Sequence, residues 1–112
     1  MVFRYNLAEM VASCVFCQIV SGAIPAEKVW ENEYVLAFKD QHPVAAVHVL
    51  LIPKVHITDL SQATDHIELL GKLQAVISQV AESLGITSGY KVILNAGRFQ
   101  EVQHLHYHLL NE

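Results

Sequence analysis

Apolar residues fall in short blocks along most of the chain and in one longer periodic stripe. Residues 47–52 (VHVLLI) form a mostly apolar run of strand length, as in a strand buried on both faces, stopped by Pro53. Residues 29–31 and 34–38 read as two strands around a turn at 31–33, and residues 90–95 and 104–110 as two more. Between them, Leu70, Leu73, Ile77, Val80 and Leu84 keep the three-and-four spacing of one helical face, which predicts a helix over 65–84. Asp65 stands as its N-cap with Glu68 three residues on, and Gly85 suits the left-handed position after the last turn. Residues 14–21 predict a short helix ended by Gly22, with an extended segment at Pro25. These elements imply an α+β fold: a mainly antiparallel five-stranded sheet, one long helix and a short N-terminal helix.

The 112 residues leave room for one domain, and 53% of them are hydrophobic against 16% charged, which supplies a core and excludes an intrinsically disordered chain. Residues 1–13 read as an N-terminal tail and 14–112 as the domain; the tail's apolar run is broken by Arg4, Asn6 and Glu9, unlike a signal peptide. No apolar run approaches the ~20 residues needed to cross a bilayer, so a membrane is not expected and the cytoplasm is. Net charge is −4 with seven scattered Lys and Arg, which gives no basic stripe for a nucleic acid polymer. A mean hydropathy of +0.32 in so small a domain suggests surface hidden in an oligomer.

Seven histidines change the picture, because three of them alternate: His104, His106 and His108. On a strand they share one face, about 6.6–7 Å apart in succession, while Leu105, Tyr107 and Leu109 face the other way. Three explanations compete. They could be satisfied core histidines, a metal site of the His-x-His kind, or a phosphate centre in which one imidazole attacks phosphorus while others hold its oxygens. Spacing alone does not separate the last two. Cys14 and Cys17 likewise have the spacing of a zinc half-site or a redox pair, or they pack as small hydrophobes. A thioredoxin-type pair would want a preceding strand and a Trp/Gly/Pro setting, and neither is present.

Taken in order, Cys14-Val15-Phe16-Cys17, Ile24-Pro25, Ala37-Phe38-Lys39-Asp40, His48, Leu51-Ile52-Pro53-Lys54, His56-Ile57, Gly89-Tyr90, Asn95, Gln100-Glu101-Val102 and the three histidines resemble the histidine-triad family, in particular its Hint-like branch. The resemblance implies a nucleotide hydrolase that cleaves nucleoside 5′-phosphoramidates or adenylated compounds, preferring purines, without a cofactor for the chemical step. His106 would be the nucleophile and form a nucleotidyl-imidazole; His108 would hydrogen-bond phosphate oxygens and His104 would help orient the cluster. His48 would bond the other nitrogen of His106 and set its tautomer. Asp40 would accept from the ribose hydroxyls, although a turn residue before Pro43 is its plain alternative. Phe16, Ile19 and Phe38 would wall the base pocket, with ordinary core as their alternative. Asn95 would lie near ribose and phosphate, Gln100 would face the leaving group, and Glu101 stands where relatives carry Ser or Glu.

The same resemblance implies a structural zinc held by Cys14, Cys17, His56 and His104, and a homodimer joined by sheet extension. It also marks departures. The loop before Gln100 is about two residues short of the usual glycine-rich one, Gln103 replaces an aromatic residue, and the chain stops at Glu112 without a longer tail. Two rivals stand beside the hydrolase: a nucleotide-binding sensor or interaction module with little catalysis, and a metal-dependent enzyme using the triad as ligands.

Overall fold

The computed structural model describes residues 7–112. Two short helices, α1 (Leu7–Ser13) and α2 (Val15–Ser21), precede strands β1 (Lys28–Glu31), β2 (Val35–Lys39) and β3 (Val47–Pro53). A 3₁₀ turn (Leu60–Asp65) leads into α3 (Ile67–Ser83), followed by β4 (Lys91–Leu94), a second 3₁₀ turn (Gly97–Phe99) and β5 (Tyr107–Asn111). The strands form one antiparallel sheet in the order β1-β2-β3-β5-β4. The expected α+β class and five-stranded sheet are therefore present. Of the expected tail, residues 1–6 lie outside the described residues and the remainder forms α1, so the N-terminus carries two short helices where one was expected.

The central strands carry apolar residues on both of their faces because both faces of the sheet are covered. Val35, Ala37, Val49, Leu51, Leu105, Tyr107 and Leu109 face α3, where Leu73, Val76, Ile77 and Val80 meet them. Their alternates Leu36, Phe38, Leu50 and Ile52 face Phe16, Ile19 and the two cysteines of the N-terminal segment. A continuous apolar run in a central strand is the result.

Helix α3 starts later than its periodicity suggests. Asp65 is not its N-cap: Asp65 ends the preceding 3₁₀ turn, which Asp59 caps by accepting from Ser61 N at 3.0 Å. His66 occupies the cap of α3 without a side-chain hydrogen bond. At the other end Gly85 adopts φ +74°, with Gly85 N–H donating to Glu82 O and Ile86 N–H to Ala81 O, both at 3.0 Å. This is a Schellman stop, and it returns Ile86 to the core beside Ala81.

The triad segment also departs from a regular strand. β5 begins at Tyr107, opposite Leu51, and His104–His106 leave the ladder. The partner strand ends at Pro53, which has no N–H, and its carbonyl is taken by the His104 ring; Leu105 N–H donates instead to Ile57 O at 2.7 Å. The two-face alternation nevertheless persists through the break. Leu73, fully buried where α3 meets the sheet, measures this packing: Leu73→Ala should cost about 2–5 kcal/mol in urea unfolding. A loss below about 1 kcal/mol, typical of a surface change, would mean that α3 does not seal this face.

Candidate active site and metal cluster

On the α2 face of the sheet lies a cleft of about 680 Å³, with walls from α2, the Ile24–Glu27 segment, β2 and the triad. Phe16, Ile19, Phe38, Leu50 and Val102 make it apolar; Asp40, Glu101, His106 and His108 bring polar groups to it. The Phe16 ring stands edge-on to Phe38 at 5.5 Å and to His106 at 5.2 Å, so the aromatic wall also packs the imidazole.

His106 is buried, and its Nδ1 lies 2.8 Å from the carbonyl oxygen of His104. A carbonyl can only accept, so the ring hydrogen sits on Nδ1 and the lone pair on Nε2. His48 does not perform this task, contrary to the expectation from the resemblance. Its Nε2 lies 2.8 Å from His108 Nδ1, because His48 and His108 project from neighbouring strands onto the same face while His106 stands beyond the ladder. His108, in ring contact with His106 at 5.0 Å, has its pKa lowered below the ordinary histidine value. Burial is the main cause, and the neighbouring His106 and His48 add to it against Asp40 and Glu101.

Asp40 lines the cleft and also holds a turn: its Oδ1 accepts from His42 N at 2.8 Å, and its Oδ2 lies 3.4 Å from His48 Nε2. The two readings of this residue are thus compatible. Gln100 and Asn95 are not brought to the cleft. Gln100 is buried, and its amide is spent on the main chain, accepting from Gly97 N and donating to Thr58 O and Val102 O. Asn95 is half-buried outside the lining. Sequence reasoning missed Ile24, Pro25, Val102 and His42 as lining residues; only Pro25, which forces an extended backbone along the rim, left a readable signal.

His104 is fully buried and faces away from the cleft. Its Nε2–H donates to Pro53 O at 2.8 Å, and its Nδ1 lies 3.3 Å from Cys14 Sγ and 3.5 Å from Cys17 Sγ. His56 Nδ1 approaches Cys17 Sγ at 3.3 Å, and Cys14 Sγ caps α2 by accepting from Cys17 N–H at 3.3 Å. The four ligand atoms all lie within 4.8 Å of one another. In a tetrahedral zinc site with ordinary bond lengths the sulfur–nitrogen edges are about 3.6 Å, close to these separations. The Pro53 carbonyl fixes the tautomer that leaves the His104 Nδ1 lone pair on the sulfurs, the usual outer support of a metal ligand. Burial pushes the Cys17 thiol up to about 12, with the Cys14 hydrogen bond and charge adding, and holds His104 down at about 4. Both shifts favour uncharged donors, so thiolates here call for a cation among them. Chemistry and geometry therefore fit a metal held by Cys14, Cys17, His56 and His104.

Residues 13–112 match the family described as "Scavenger mRNA decapping enzyme C-term binding". Protein HitA of Neisseria gonorrhoeae is 43% identical over 101 residues, covering 88% of this chain and 94% of that protein. The 14 kDa zinc-binding protein of Zea mays is 45% identical over 101 residues, covering 86% of this chain and 79% of that one. Adenylylsulfatase HINT1 of Arabidopsis thaliana is 42% identical over 101 residues, covering 86% and 69%. Among solved structures, a HIT family hydrolase from Legionella pneumophila superposes with a TM-score of 0.84 at 39% identity, covering 88% of this chain and 92% of that one. With three alternating histidines, two of which line the cleft, and relatives of this similarity along nearly its whole length, the chain belongs to the histidine-triad family.

Proposed function

We propose that the protein hydrolyses nucleoside 5′-phosphoramidates or adenylated compounds through a nucleotidyl-His106 intermediate, with purine nucleosides as the preferred class. The observation that carries this reading is the 2.8 Å contact between His106 Nδ1 and the His104 carbonyl, which leaves a neutral Nε2 lone pair on the cleft side. That nitrogen attacks the α-phosphorus, and the new P–N bond forms as the bond to the leaving group breaks. The leaving group departs with the electron pair and gains a proton. Water then attacks the same phosphorus as the P–N bond breaks; the water gives up a proton to solvent, matching the one the leaving group gained, and the nucleoside monophosphate and the neutral His106 ring are released. His108 hydrogen-bonds the phosphate oxygens on which charge accumulates.

The base lies between Phe16, Ile19 and Phe38, and Asp40 Oδ2 is the group available to ribose hydroxyls. Charge supports a substrate with one phosphate at the reacting centre. The lining includes Glu27, Asp40 and Glu101, whereas its Lys39 is paired with Glu27 at 2.6 Å. Further phosphates would find little to neutralise them. The Arabidopsis relative named adenylylsulfatase acts, by its name, on an adenylylated compound, which agrees with this class.

We assign zinc to the Cys14, Cys17, His56 and His104 cluster, in line with the maize relative's name. When bound it supplies a structural cross-link between the N-terminal helix and the triad segment, outside the cleft lining. Homodimerisation is proposed at β4, an edge strand whose Val92 and Ile93 are partly exposed. Two free cysteines agree with a reducing compartment such as the cytoplasm.

Three measurements test this reading. His106→Gly should abolish turnover of an adenosine phosphoramidate while AMP still binds; retained wild-type turnover would remove the covalent route. Elemental analysis should find about one zinc per chain, and Cys14→Ser should lower the melting temperature; a metal-free wild type with an unchanged Cys14→Ser melt would return the cysteines to simple packing. The pH test rests on His108. Its folded pKa is depressed, so between that value and about 6.5 the unfolded chain binds more protons and stability falls as pH drops. His108→Gln should flatten the decline of stability below about pH 6.5. Parallel wild-type and variant curves would mean that His108 stays ordinary in the fold.

A further inference from the structure

The main-chain amide of Val44 points at the one nitrogen of His48 that the His108 contact leaves over. Val44 N lies 3.2 Å from His48 Nδ1, and His48 Nε2 lies 2.8 Å from His108 Nδ1. An amide can only donate, so His48 Nδ1 must be the acceptor and the ring hydrogen must sit on Nε2. That hydrogen then points at His108 Nδ1, which becomes an acceptor in turn, and the hydrogen of His108 is left on its own Nε2. The opposite relay would set a His48 Nδ1–H against the Val44 N–H, two donors facing each other. Asp40 Oδ2, 3.4 Å from His48 Nε2, is an acceptor and favours the same placement.

We propose that the Val44 amide is the positioning group that makes His108 a donor: through His48 it fixes the imidazole N–H that His108 turns to the cleft. The proposal rests on the reading that phosphate binds there. The loop is built to hold this amide in place. Asp40 N–H donates to His48 O at 3.0 Å and His42 N–H to Asp40 Oδ1 at 2.8 Å, which closes the chain between β2 and β3 around residue 44. The Val44 side chain is 75% exposed, so the contribution of this residue lies in its main chain. Two residues before His108, His106 takes the reverse pattern from the His104 carbonyl. Two adjacent imidazoles are thus set by one main-chain donor and one main-chain acceptor, the first to give a hydrogen and the second to offer a lone pair.

Nitrogen-15 NMR of the free, histidine-labelled and uniformly labelled protein reads this directly. Expected are N–N couplings across the Val44–His48 and His48–His108 hydrogen bonds, with the His108 ring protonated on Nε2. Val44→Ala keeps the amide and should reproduce both the spectrum and the kinetics. Val44→Pro deletes the amide hydrogen and should mix the tautomers of His48 and His108 and lower kcat about tenfold, the worth of one hydrogen bond, with a smaller change in KM. A wild-type His48 protonated on Nδ1 overturns the proposal, as does a folded Val44→Pro protein with unchanged tautomers. If Val44→Pro does not fold, the wild-type couplings decide alone. Because the spectra need no substrate, the proposal can fail while the covalent reaction stands, and the reverse.

Discussion

His104 makes three hydrogen-bonding commitments from a fully buried position, and the rest of the site depends on them. Its ring gives its hydrogen to the carbonyl that ends β3, turns its lone pair to two thiols of the N-terminal helix, and its own carbonyl holds the ring of His106. Burial makes a charged ring costly, so these neutral contacts reinforce one another. A change in the seat of His104 would therefore move the two thiols and the His106 ring together. A polar residue at the core of a small domain normally costs stability; here it ties three chain segments to the centre of the sheet.

The sheet turns this constraint into a site. Its α3 face is ordinary packing, and its α2 face carries the apolar slot with the imidazoles at one end. The break after Pro53 frees the His104–His106 segment from ladder bonding, and its main-chain groups become available to orient rings. His48 and His108 stay within the ladder, on adjacent strands, and pair with each other. Regular and irregular backbone therefore divide the work. The irregular part sets the lone pair of His106, and the strands with their connecting loop set the N–H of His108.

Much of this was legible in the sequence because strand alternation survives even where the ladder does not. The five strands, the stripe from Leu73 to Val80 and the shared face of the three histidines all follow from periodicity, and the cysteine pair from its spacing. What escaped has a common cause: main-chain groups leave no signature. A buried Gln100 that satisfies Gly97, Thr58 and Val102 looks, as a letter, like one that faces a ligand. Asp65 reads as a helix cap, but a 3₁₀ turn capped by Asp59 takes it in and leaves His66 at the start of α3. The partner of His48 depended on where β5 begins, which the alternation of His104, His106 and His108 could not fix.

On the proposed route His106 offers a neutral Nε2 to phosphorus and carries the nucleotide between two displacements. Intact-protein mass spectrometry of the wild type, quenched during turnover of an adenosine phosphoramidate and followed by peptide mapping, tests it most directly. Expected is an added adenylyl mass located on His106 that disappears once substrate is exhausted. Steady product formation with no adduct at any quench time, or an adduct on a different residue, would contradict it.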